Sequence, residues 1–491
     1  PGGITLDDGT VVADGYAMNG RDKSIPVLEL CYKKNIASED HIVNRMSAEW
    51  YNRYQPSVRP ERIANPLVRD CLDSTMCCVY FRNSGSTAVQ VGPDLVPPGA
   101  TVFFGLGNLV SNKDSVSAFE YHPIVIEVKN NTEPQVLFKS KDLSGDNWGN
   151  NYEFRYLDAS KYTEEQAKAE WQKVQNFLCD TDCTTATDAV LSKTVTIGGV
   201  SFVRDSVEYR KARWDTEAPE IFDKKTLTWH HNITLFLLLR DNRAKNMFWS
   251  YDPVTKKWGL WFNWDNDTGL CRNNDGYVDI EPGYMDFDTL GTGDVFNGAA
   301  NVVFNNLRTW DFDELKADYL DRESAGAWDI DALYKYAMES QESICEALWI
   351  EDAAHNAIRT MQNLGTSAYL ERATGRLRLH LKKALTFQKV LVDSYYCSTA
   401  ATGQSAAFRG YTPTHWAGVA PSGRLSVTTY TNMYINVFAG NTAYQVRATE
   451  GVPVEMDISA SLNNTEIYFR HAQWMQDLGD LAGLYLGQFE A

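Results

Sequence analysis

The chain has 491 residues, 44% hydrophobic and 22% charged, a composition typical of globular proteins and unlike that of collagenous or disordered ones. Sixty-four acidic residues against 46 basic ones give a net charge of −18, which opposes wrapping of nucleic acid and attraction to acidic membranes. This length exceeds the size at which one hydrophobic core keeps growing, so we expect several structural units.

Hydropathy and cysteine usage exclude two further classes of protein. The longest apolar run, residues 233–239, is far shorter than the ~20 residues of a membrane-spanning helix, so we expect no membrane anchor. Nine scattered cysteines do not form a dense disulfide framework, which favours reduced thiols. The closely spaced pairs lack a second pair or a nearby His at zinc-finger spacing, so structural burial is favoured over metal binding. These pairs are Cys77 with Cys78 and Cys179 with Cys183.

Residues 1–158 are predicted to form a β-rich N-terminal lobe. Short apolar runs at 27–30, 101–104, 124–128 and 136–138 alternate with Gly, Pro and Asn clusters, a pattern typical of strands. One helix is expected near residues 39–51.

Residues 159–398 are predicted to form a central α+β core followed by a helical lobe. Thr163 and Gln166 have the spacing of a capping box, and Trp171, Val174 and Leu178 follow on one face of the expected helix. Asp223 is a candidate cap for a second helix whose apolar residues cover most of its circumference, so we expect that helix to be buried.

The second helix leads into a polar loop at 241–246 and then into two expected strands. These strands are placed at residues 247–251 and 258–261, with a turn at Asp252 and Pro253 between them. Helical periodicity dominates residues 299–396, with breaks near Gly326, Gly365 and Gly375.

Residues 409–491 alternate apolar and polar positions, which predicts a small all-β unit at the C-terminal end. The fold class expected for the whole chain is therefore α+β. Because the sequence begins with Pro1-Gly2-Gly3 and ends just after a Leu-rich segment, we also expect it to be one part of a longer protein.

The residues best suited to chemistry lie around the polar loop. Asn246 follows Asp241 by five positions, and Asp265 and Asp267 follow the second expected strand. Phosphoryl transfer uses a carboxylate to orient the acceptor hydroxyl, and amide and carboxylate oxygens to hold magnesium between phosphates. The spacing from Asp241 to Asn246 is that of a kinase catalytic loop.

Other interpretations of the same residues stay open. Asp and Asn are common in turns, and an oxygen-rich calcium loop is an alternative, although the EF-hand order of ligands is absent after Asp265. Asp265 and Asp267 could also serve as the paired carboxylates of a glycosidase. His230 and His231 fit buried core positions better than ligands.

The segment 239–276 resembles the core of CotH-domain proteins, a family of atypical protein kinases. The resemblance is carried by the Asp-Asn-Arg-Ala-Lys-Asn loop at 241–246, the Tyr-Asp-Pro turn at 251–253, Trp258, and Phe-Asn-Trp-Asp-Asn-Asp-Thr-Gly-Leu at 262–270. The version here is especially similar to the one carried by large structural proteins of tailed bacteriophages of gut bacteria. Weaker similarities lie at 31–35, 105–114, 152–156 and 463–484.

The resemblance implies roles for individual residues. Asp241 would be the catalytic base, Asn246 and Asp265 would bind the nucleotide through magnesium, and Asp267 would join them as a metal ligand. The lysine on the nucleotide phosphates would be Lys139, with Lys129 and Lys141 as alternatives. A Gly-rich phosphate loop of the usual kinase form is not found, since the glycine pair at 105 and 107 lacks a third glycine.

The resemblance also implies the function that we expect. It indicates a structural component of a phage tail, at the hub or tip, that uses the kinase-like fold as a scaffold with vestigial activity and requires no cofactor. Its partners would be copies of itself and other tail proteins, with passive contact with a DNA conduit but no specific nucleic-acid binding. It would reside in the virion after assembly in the bacterial cytoplasm. The alternative is an active CotH-type protein kinase that uses ATP and Mg²⁺.

Overall fold

The computed structural model has a mixed α+β fold, as the sequence predicts. It describes residues 4–5, 11–12, 30–33, 41–54, 74–91, 94–111, 122–129, 138, 140–143, 146–184, 193–239, 241–243, 245–267, 269, 301–355, 381, 385, 389, 392, 398–401, 407–409, 423–428, 433–439, 442–448, 454–458 and 467–471.

The strands of the first half of the chain fall into several small antiparallel sheets. They are β1 (Ile4–Thr5), β2 (Val11–Val12), β3 (Leu30–Lys33), β4 (Ser74–Arg82), β5 (Val89–Val91), β6 (Asp94–Val96), β7 (Thr101–Ser111), β8 (Ile124–Lys129), β9 (Tyr152–Leu157), β10 (Thr194–Ile197), β11 (Val200–Val203), β12 (Lys245–Tyr251) and β13 (Trp258–Asn263). One sheet has the order β3-β7-β4, and three two-stranded sheets pair β1 with β2, β5 with β6 and β10 with β11.

The helices that the structure describes lie between and after these strands. They are α1 (Ile42–Arg53), α2 (Asp146–Asn151), α3 (Glu164–Asp180), α4 (Val207–Ile221), α5 (Lys224–Phe236), α6 (Val302–Trp310), α7 (Phe312–Ser324), α8 (Ile330–Glu342) and α9 (Glu346–His355). Among these, no helix is both long enough and apolar enough to cross a membrane.

The capping box predicted for α3 is confirmed. The Thr163 hydroxyl accepts from the Gln166 backbone N–H at 3.2 Å, and the Gln166 side chain accepts from the Thr163 N–H at 2.8 Å. Trp171, Val174 and Leu178 are buried on one face, as the periodicity predicts. The sequence therefore fixes both the start of this helix and the face that it buries.

A four-stranded antiparallel sheet in the order β13-β12-β8-β9 positions the candidate site. It combines two strands of the predicted N-terminal lobe with two of the predicted core, so the chain on both sides of residue 158 builds one sheet. The domain bounds themselves stay predictions. The sheet packs on α3 through aromatic rings, with ring centroids of Trp171 and Trp249 5.7 Å apart and those of Trp171 and Trp258 5.0 Å apart.

The prediction of a strand at residues 136–138 is wrong for the last of these residues, Phe138. Phe138 lies in a turn with a positive φ of 63°, a conformation that strands do not adopt. Its ring is buried against Trp171 and Trp249, so tertiary packing accounts for the apolar residue there. The rest of this run and the predicted breaks at Gly365 and Gly375 lie outside the described residues, whereas Gly326 ends α7 with a φ of 86°.

The elements that the structure describes between residues 398 and 471 are strands. They are β14 (Ser398–Ala401), β15 (Ala407–Arg409), β16 (Gly423–Thr428), β17 (Met433–Ala439), β18 (Thr442–Ala448), β19 (Val454–Ile458) and β20 (Ile467–His471). They form a four-stranded sheet, β15-β14-β16-β19, and a three-stranded sheet, β18-β17-β20.

Candidate functional site

Helix α5 delivers the chain into the polar loop. Every residue of the helix from Thr226 to Phe236 is buried, which confirms the prediction of a core helix. The helix ends at Phe236, with Leu237 as its C-cap, and Leu238 adopts a positive φ of 46°, which turns the chain out of the helical path. The Leu239 N–H then bonds to the Thr234 carbonyl at 2.9 Å, so the turn is fixed before the loop begins.

Asp241 opens the loop and is held inside the protein. Its residue is only 4% exposed, and its carboxylate lies 3.7 Å from the Lys245 ammonium. Its backbone carbonyl accepts from the Lys245 N–H at 3.1 Å, which closes the loop on itself. Asp241 is therefore linked through both its backbone and its side chain to the first residue of β12.

Arg243 is completely buried and anchors the loop to the helical lobe. Its guanidinium donates to the Thr234 hydroxyl at 3.2 Å and to the His231 carbonyl at 3.3 Å, and lies 5.0 Å above the Phe304 ring. The Asn301 amide donates to the Arg243 carbonyl at 2.8 Å. The sequence analysis gave Arg243 no role, and its position within a polar loop offered no sign of burial.

Asn242 connects the 241–246 loop to the segment that follows β13, the two parts of the chain that contain the predicted site residues. Its amide nitrogen donates to the Trp264 carbonyl at 2.8 Å and reaches the Asn246 carbonyl at 3.5 Å. Its own carbonyl accepts from the His230 ring at 2.8 Å. The residue just before Asp265 is thus tied to the loop that carries Asp241. Sequence reasoning missed Asn242, although an amide between two candidate residues was a usable signal.

Asn246 lies at a bulge at the start of β12. Lys245 pairs with Lys129 and Met247 with Val128, so Asn246 is the extra residue on its strand. It adopts a positive φ of 54°, which Asn tolerates better than most residues. Its residue is 4% exposed, and its amide nitrogen has no hydrogen-bond partner among the described residues.

Asp265 and Asp267 follow β13 close to the loop. Because Met247 pairs with Asn263, the start of β12 lies opposite the end of β13, and Asp265 is two residues further along. Asp265 adopts a positive φ of 61°, and Asp267 is 9% exposed. The structure therefore brings Asp241, Asn246, Asp265 and Asp267 to one end of the central sheet, as the sequence predicts.

Helix α1 braces this strand end from the other side. The Asn266 N–H donates to the Asn44 side chain at 3.1 Å. A Cβ at Gly269 would lie 2.9 Å from Leu239 Cδ2, 3.0 Å from Val43 Cγ1 and 3.2 Å from the Leu237 carbonyl oxygen. Only a glycine lets this segment approach both α1 and the turn after α5.

The histidines on α5 are core residues, as predicted. The pKa of His230 is lowered to about 4, chiefly by burial; the bond to the Asn242 carbonyl opposes the shift and nearby Arg243 adds to it. Burial also lowers the pKa of His231 well below its usual value, with Arg243 acting in the same direction. Both rings are neutral at physiological pH and are completely buried in the core.

Two of the three candidate lysines for the nucleotide phosphates, Lys129 and Lys141, lie within the described residues. Lys139 lies outside the described residues. Lys129 ends β8 opposite Lys245, one residue from Asn246, and pairs with Glu153 at 3.5 Å. Lys141 pairs with Asp180 at the end of α3. Of the two lysines that the structure describes, Lys129 lies at the same end of the sheet as the site.

Amide and carboxylate oxygens are donors that Mg²⁺ prefers, and Asn246, Asp265 and Asp267 are the residues that would supply them here. No group of three His, Cys, Asp or Glu residues with metal-binding geometry occurs within the described ranges. None of the six cysteines in these ranges forms a disulfide with another described residue. Cys179 donates to the Phe138 carbonyl at 2.9 Å, and burial raises its pKa to about 12, which fits a structural thiol.

Neither the protein-family models nor the curated protein sequences contain a match to this chain.

Proposed function

We propose that this protein is a structural component of a bacteriophage tail, at the hub or tip, that uses a CotH-like kinase fold as a scaffold. The proposal is supported by the resemblance of residues 239–276 to the CotH versions carried by phage structural proteins. It is also supported by the way that Asn242 ties the 241–246 loop to the end of β13.

The arrangement of the loop supports a kinase-like core. In phosphoryl transfer, the base on the catalytic loop and the magnesium-binding carboxylate must lie on one rim of the nucleotide cleft. Here the loop with Asp241 and Asn246 and the strand end with Asp265 meet at one end of the central sheet. Helix α5, buried on all sides, provides the rigid support that such a loop requires.

The burial of Asp241 is the observation that favours a scaffold over an active enzyme. A catalytic base must come within hydrogen-bond reach of the hydroxyl that it deprotonates. Asp241 is only 4% exposed and faces Lys245 at 3.7 Å. This carboxylate supports the fold of the loop, and a substrate hydroxyl would have to displace that contact to reach it.

The proposed partners follow from the same assignment. The protein would assemble with copies of itself and with other tail proteins inside the virion, after synthesis in the bacterial cytoplasm. Closed symmetric assemblies satisfy the interface of every copy. A net charge of −18 would let DNA pass along a conduit without adhering, and the structural role requires no cofactor.

An active CotH-type protein kinase is the second candidate, and backbone geometry favours it. Asn246 and Asp265 both adopt positive φ angles, a conformation that costs energy and is concentrated at functional sites. In this case Asp241 would act as the base, and Asn246, Asp265 and Asp267 would hold Mg²⁺. Lys139 or Lys129 would contact the phosphates of ATP.

Thermal unfolding with and without millimolar MgATP separates the two candidates. A ligand at a hundred times its dissociation constant stabilises the folded state by about 2.7 kcal/mol. The scaffold predicts no shift in Tm. A shift that is lost in Asp265→Ala, but kept in a control substitution of exposed Asp215 on α4, would contradict the scaffold and support the kinase.

A further inference from the structure

Strands β10 and β11 form a hairpin that pairs with no other described strand. Gly198 and Gly199 connect them, and both have positive φ angles, 57° and 83°, as a type I′ turn requires. The Arg204 N–H donates to the Lys193 carbonyl at 2.9 Å, so these two residues are a hydrogen-bonded pair at the other end of the hairpin. The hairpin is therefore regular from its base to its turn.

The outer edge of β10 has unbonded backbone groups at Thr194 and Thr196. Hydrogen-bonded and non-hydrogen-bonded pairs alternate along an antiparallel ladder, so the bonded pair at Lys193 makes Thr194 and Thr196 non-hydrogen-bonded towards β11. Their N–H and C=O groups point away from the hairpin. Both residues are exposed, and no backbone hydrogen bond joins these groups to another described residue.

This edge lacks the features that keep sheet edges apart. Folded proteins usually protect an edge strand with a charged side chain, a proline or a bulge. Residues 194–203 contain no charged residue and no proline, and the register of β10 with β11 has no bulge. Two copies of a chain with a net charge of −18 repel each other, and an uncharged segment is where they can meet with the least repulsion.

The outer edge of β11 is less open than that of β10. By the same alternation, Ser201 and Val203 have the outward groups on this strand. The Val203 carbonyl already accepts from the Ser206 N–H at 3.2 Å. Ser206 is also the N-cap of α4, and its hydroxyl accepts from the Tyr209 N–H at 3.1 Å. The start of α4 thus uses part of the β11 edge, which leaves β10 as the edge suited to pairing.

We propose that β10 pairs with β10 of a second copy of the chain across a two-fold axis, so that two hairpins form one four-stranded antiparallel sheet. The outward groups of the two strands must bond to each other, which places Thr194 opposite the partner's Thr196 and the reverse. Val195 then lies on the axis, opposite the partner's Val195. The inference rests on the proposed function for its occupant, because that function requires assembly with copies of itself.

This register also joins the apolar faces of the two hairpins. Residues directly opposite each other lie on the same face of a sheet, so each hairpin has one apolar face and one face rich in hydroxyls. The apolar face consists of Val195, Ile197, Val200 and Phe202, and Val200 is 57% exposed. A shift by one residue would place apolar residues beside polar ones and leave the outward groups unbonded. A shift by two would pair only one threonine of each copy.

Cysteine cross-linking tests the register. Opposite residues of a non-hydrogen-bonded antiparallel pair have Cα atoms about 4.5 Å apart, which a disulfide can bridge. We expect Val195→Cys to form a covalent dimer with oxidised glutathione, which takes up both thiol protons and the two electrons and leaves as two glutathione thiols. Val200→Cys is the matched control on the same face, because the proposed sheet separates its two copies by three strand spacings, ~14 Å. Non-reducing electrophoresis compares both variants with the unmodified chain.

Sedimentation equilibrium of the full chain tests the edge without cross-linking. Thr196→Pro removes an outward N–H of β10, and Ser201→Pro removes the corresponding N–H of β11. We expect the unmodified chain to dimerise, Thr196→Pro to weaken dimerisation ~10-fold or more, and Ser201→Pro to dimerise like the unmodified chain. Circular dichroism verifies folding. If Thr196→Pro fails to fold, Thr194→Lys replaces it, because a lysine on the edge blocks pairing and remains compatible with a strand.

Three results would overturn the proposal: a chain that stays monomeric at high concentration, equal cross-linking of the two cysteine variants, or equal dimerisation of the two proline variants. If β10 pairs with a strand of another protein instead, the purified chain is monomeric and Val195→Cys gives no covalent dimer. Dimerisation that persists in Thr196→Pro would show that copies meet through another surface, which overturns this interface but not the tail role. Detection of the protein in phage particles tests the tail role independently.

Discussion

The hydroxyl of Tyr51 connects helix α1 to the histidine beneath the loop. Its oxygen lies 3.1 Å from His230 Nδ1 and 3.0 Å from the Leu260 carbonyl. A neutral His230 that donates from Nε2 to the Asn242 carbonyl has only a lone pair at Nδ1. The single proton of Tyr51 must therefore serve both acceptors, and protonation of His230 would be disfavoured by its burial.

This arrangement predicts a pH dependence of stability. The pKa of His230 is about 4 in the folded protein, against about 6.5 when unfolded, so the unfolded state takes up the proton first as pH falls. Stability is unaffected above pH ~6.5 and falls by up to about 3 kcal/mol as the pH approaches 4. His231 acts in the same direction.

Urea unfolding of the chain and of His230→Gln at pH 7.5 and pH 4.5 measures this contribution. The glutamine keeps a donor and an acceptor but does not titrate. Burial raises the pKa values of Asp311 and Asp318, so these two carboxyls make the folded state more stable as the pH falls. Both proteins contain them, so their contribution cancels when the two stability changes are compared. We expect the variant to lose less stability between the two pH values, and an equal loss in both would show that His230 does not titrate as described.

Asn246 is predicted to lower the free energy of unfolding, because of its backbone conformation and its buried amide nitrogen. A left-handed conformation costs most non-glycine residues roughly 1–2 kcal/mol and asparagine less, and a buried donor without a partner adds roughly 1–3 kcal/mol. Asn246→Gly removes both costs and is expected to raise the free energy of unfolding by about 1 kcal/mol or more. Asn246→Ala removes only the second and should be less stable than the glycine variant. Chemical denaturation of the glycine and alanine variants measures this difference in stability. An alanine variant more stable than the glycine variant would contradict the positive φ at residue 246.

At the scale of elements, the turn after α5, helix α1 and the strand end fit together through Gly269. A Cβ there meets the Leu237 carbonyl, a backbone atom that cannot move aside as a side chain can. We expect Gly269→Ala to destabilise the protein by roughly 1–3 kcal/mol through overpacking. Gly149→Ala is the control, because a Cβ at that exposed position in α2 meets nothing within 4 Å.

Differential scanning calorimetry of these two variants tests the packing of the site. Gly149→Ala should be neutral or slightly stabilising, since alanine favours helix over glycine by up to about 1 kcal/mol. An unchanged Tm in Gly269→Ala would mean that the strand end is not pressed against the turn and α1.

The sequence predicted elements well where the signal was local. The capping box of α3, the buried helix α5 and strands β8, β12 and β13 follow from periodicity and spacing within each segment. The grouping of Asp241, Asn246 and Asp265 was also predictable, since a loop after a buried helix and the end of a paired strand meet at one sheet edge.

The contacts that hold the site together were not predictable in the same way. The Asn44 side chain accepts from the Asn266 N–H across 222 residues of sequence, and Arg243 is buried against the Phe304 ring in a segment that looks like an exposed loop. Such contacts depend on long-range packing, which leaves no periodic trace in the sequence. The joining of β8 and β9 to β12 and β13 in one sheet was missed for the same reason.

At the scale of the whole molecule, the proposed tail role is consistent with a single large hydrophobic core. One hydrophobic core unites α1, the central sheet and the helical lobe, which suits a rigid building block. The 241–246 loop strengthens this block through Asn242 and Arg243 whether or not it binds nucleotide.

Mass spectrometry of purified phage particles tests the tail role most directly. If the protein is a tail component, its peptides will be present in particles purified from the host that expresses the gene, at a constant ratio to the other tail proteins and at several copies per particle. Absence of its peptides from particles, with the protein present in the infected cell, would contradict the account.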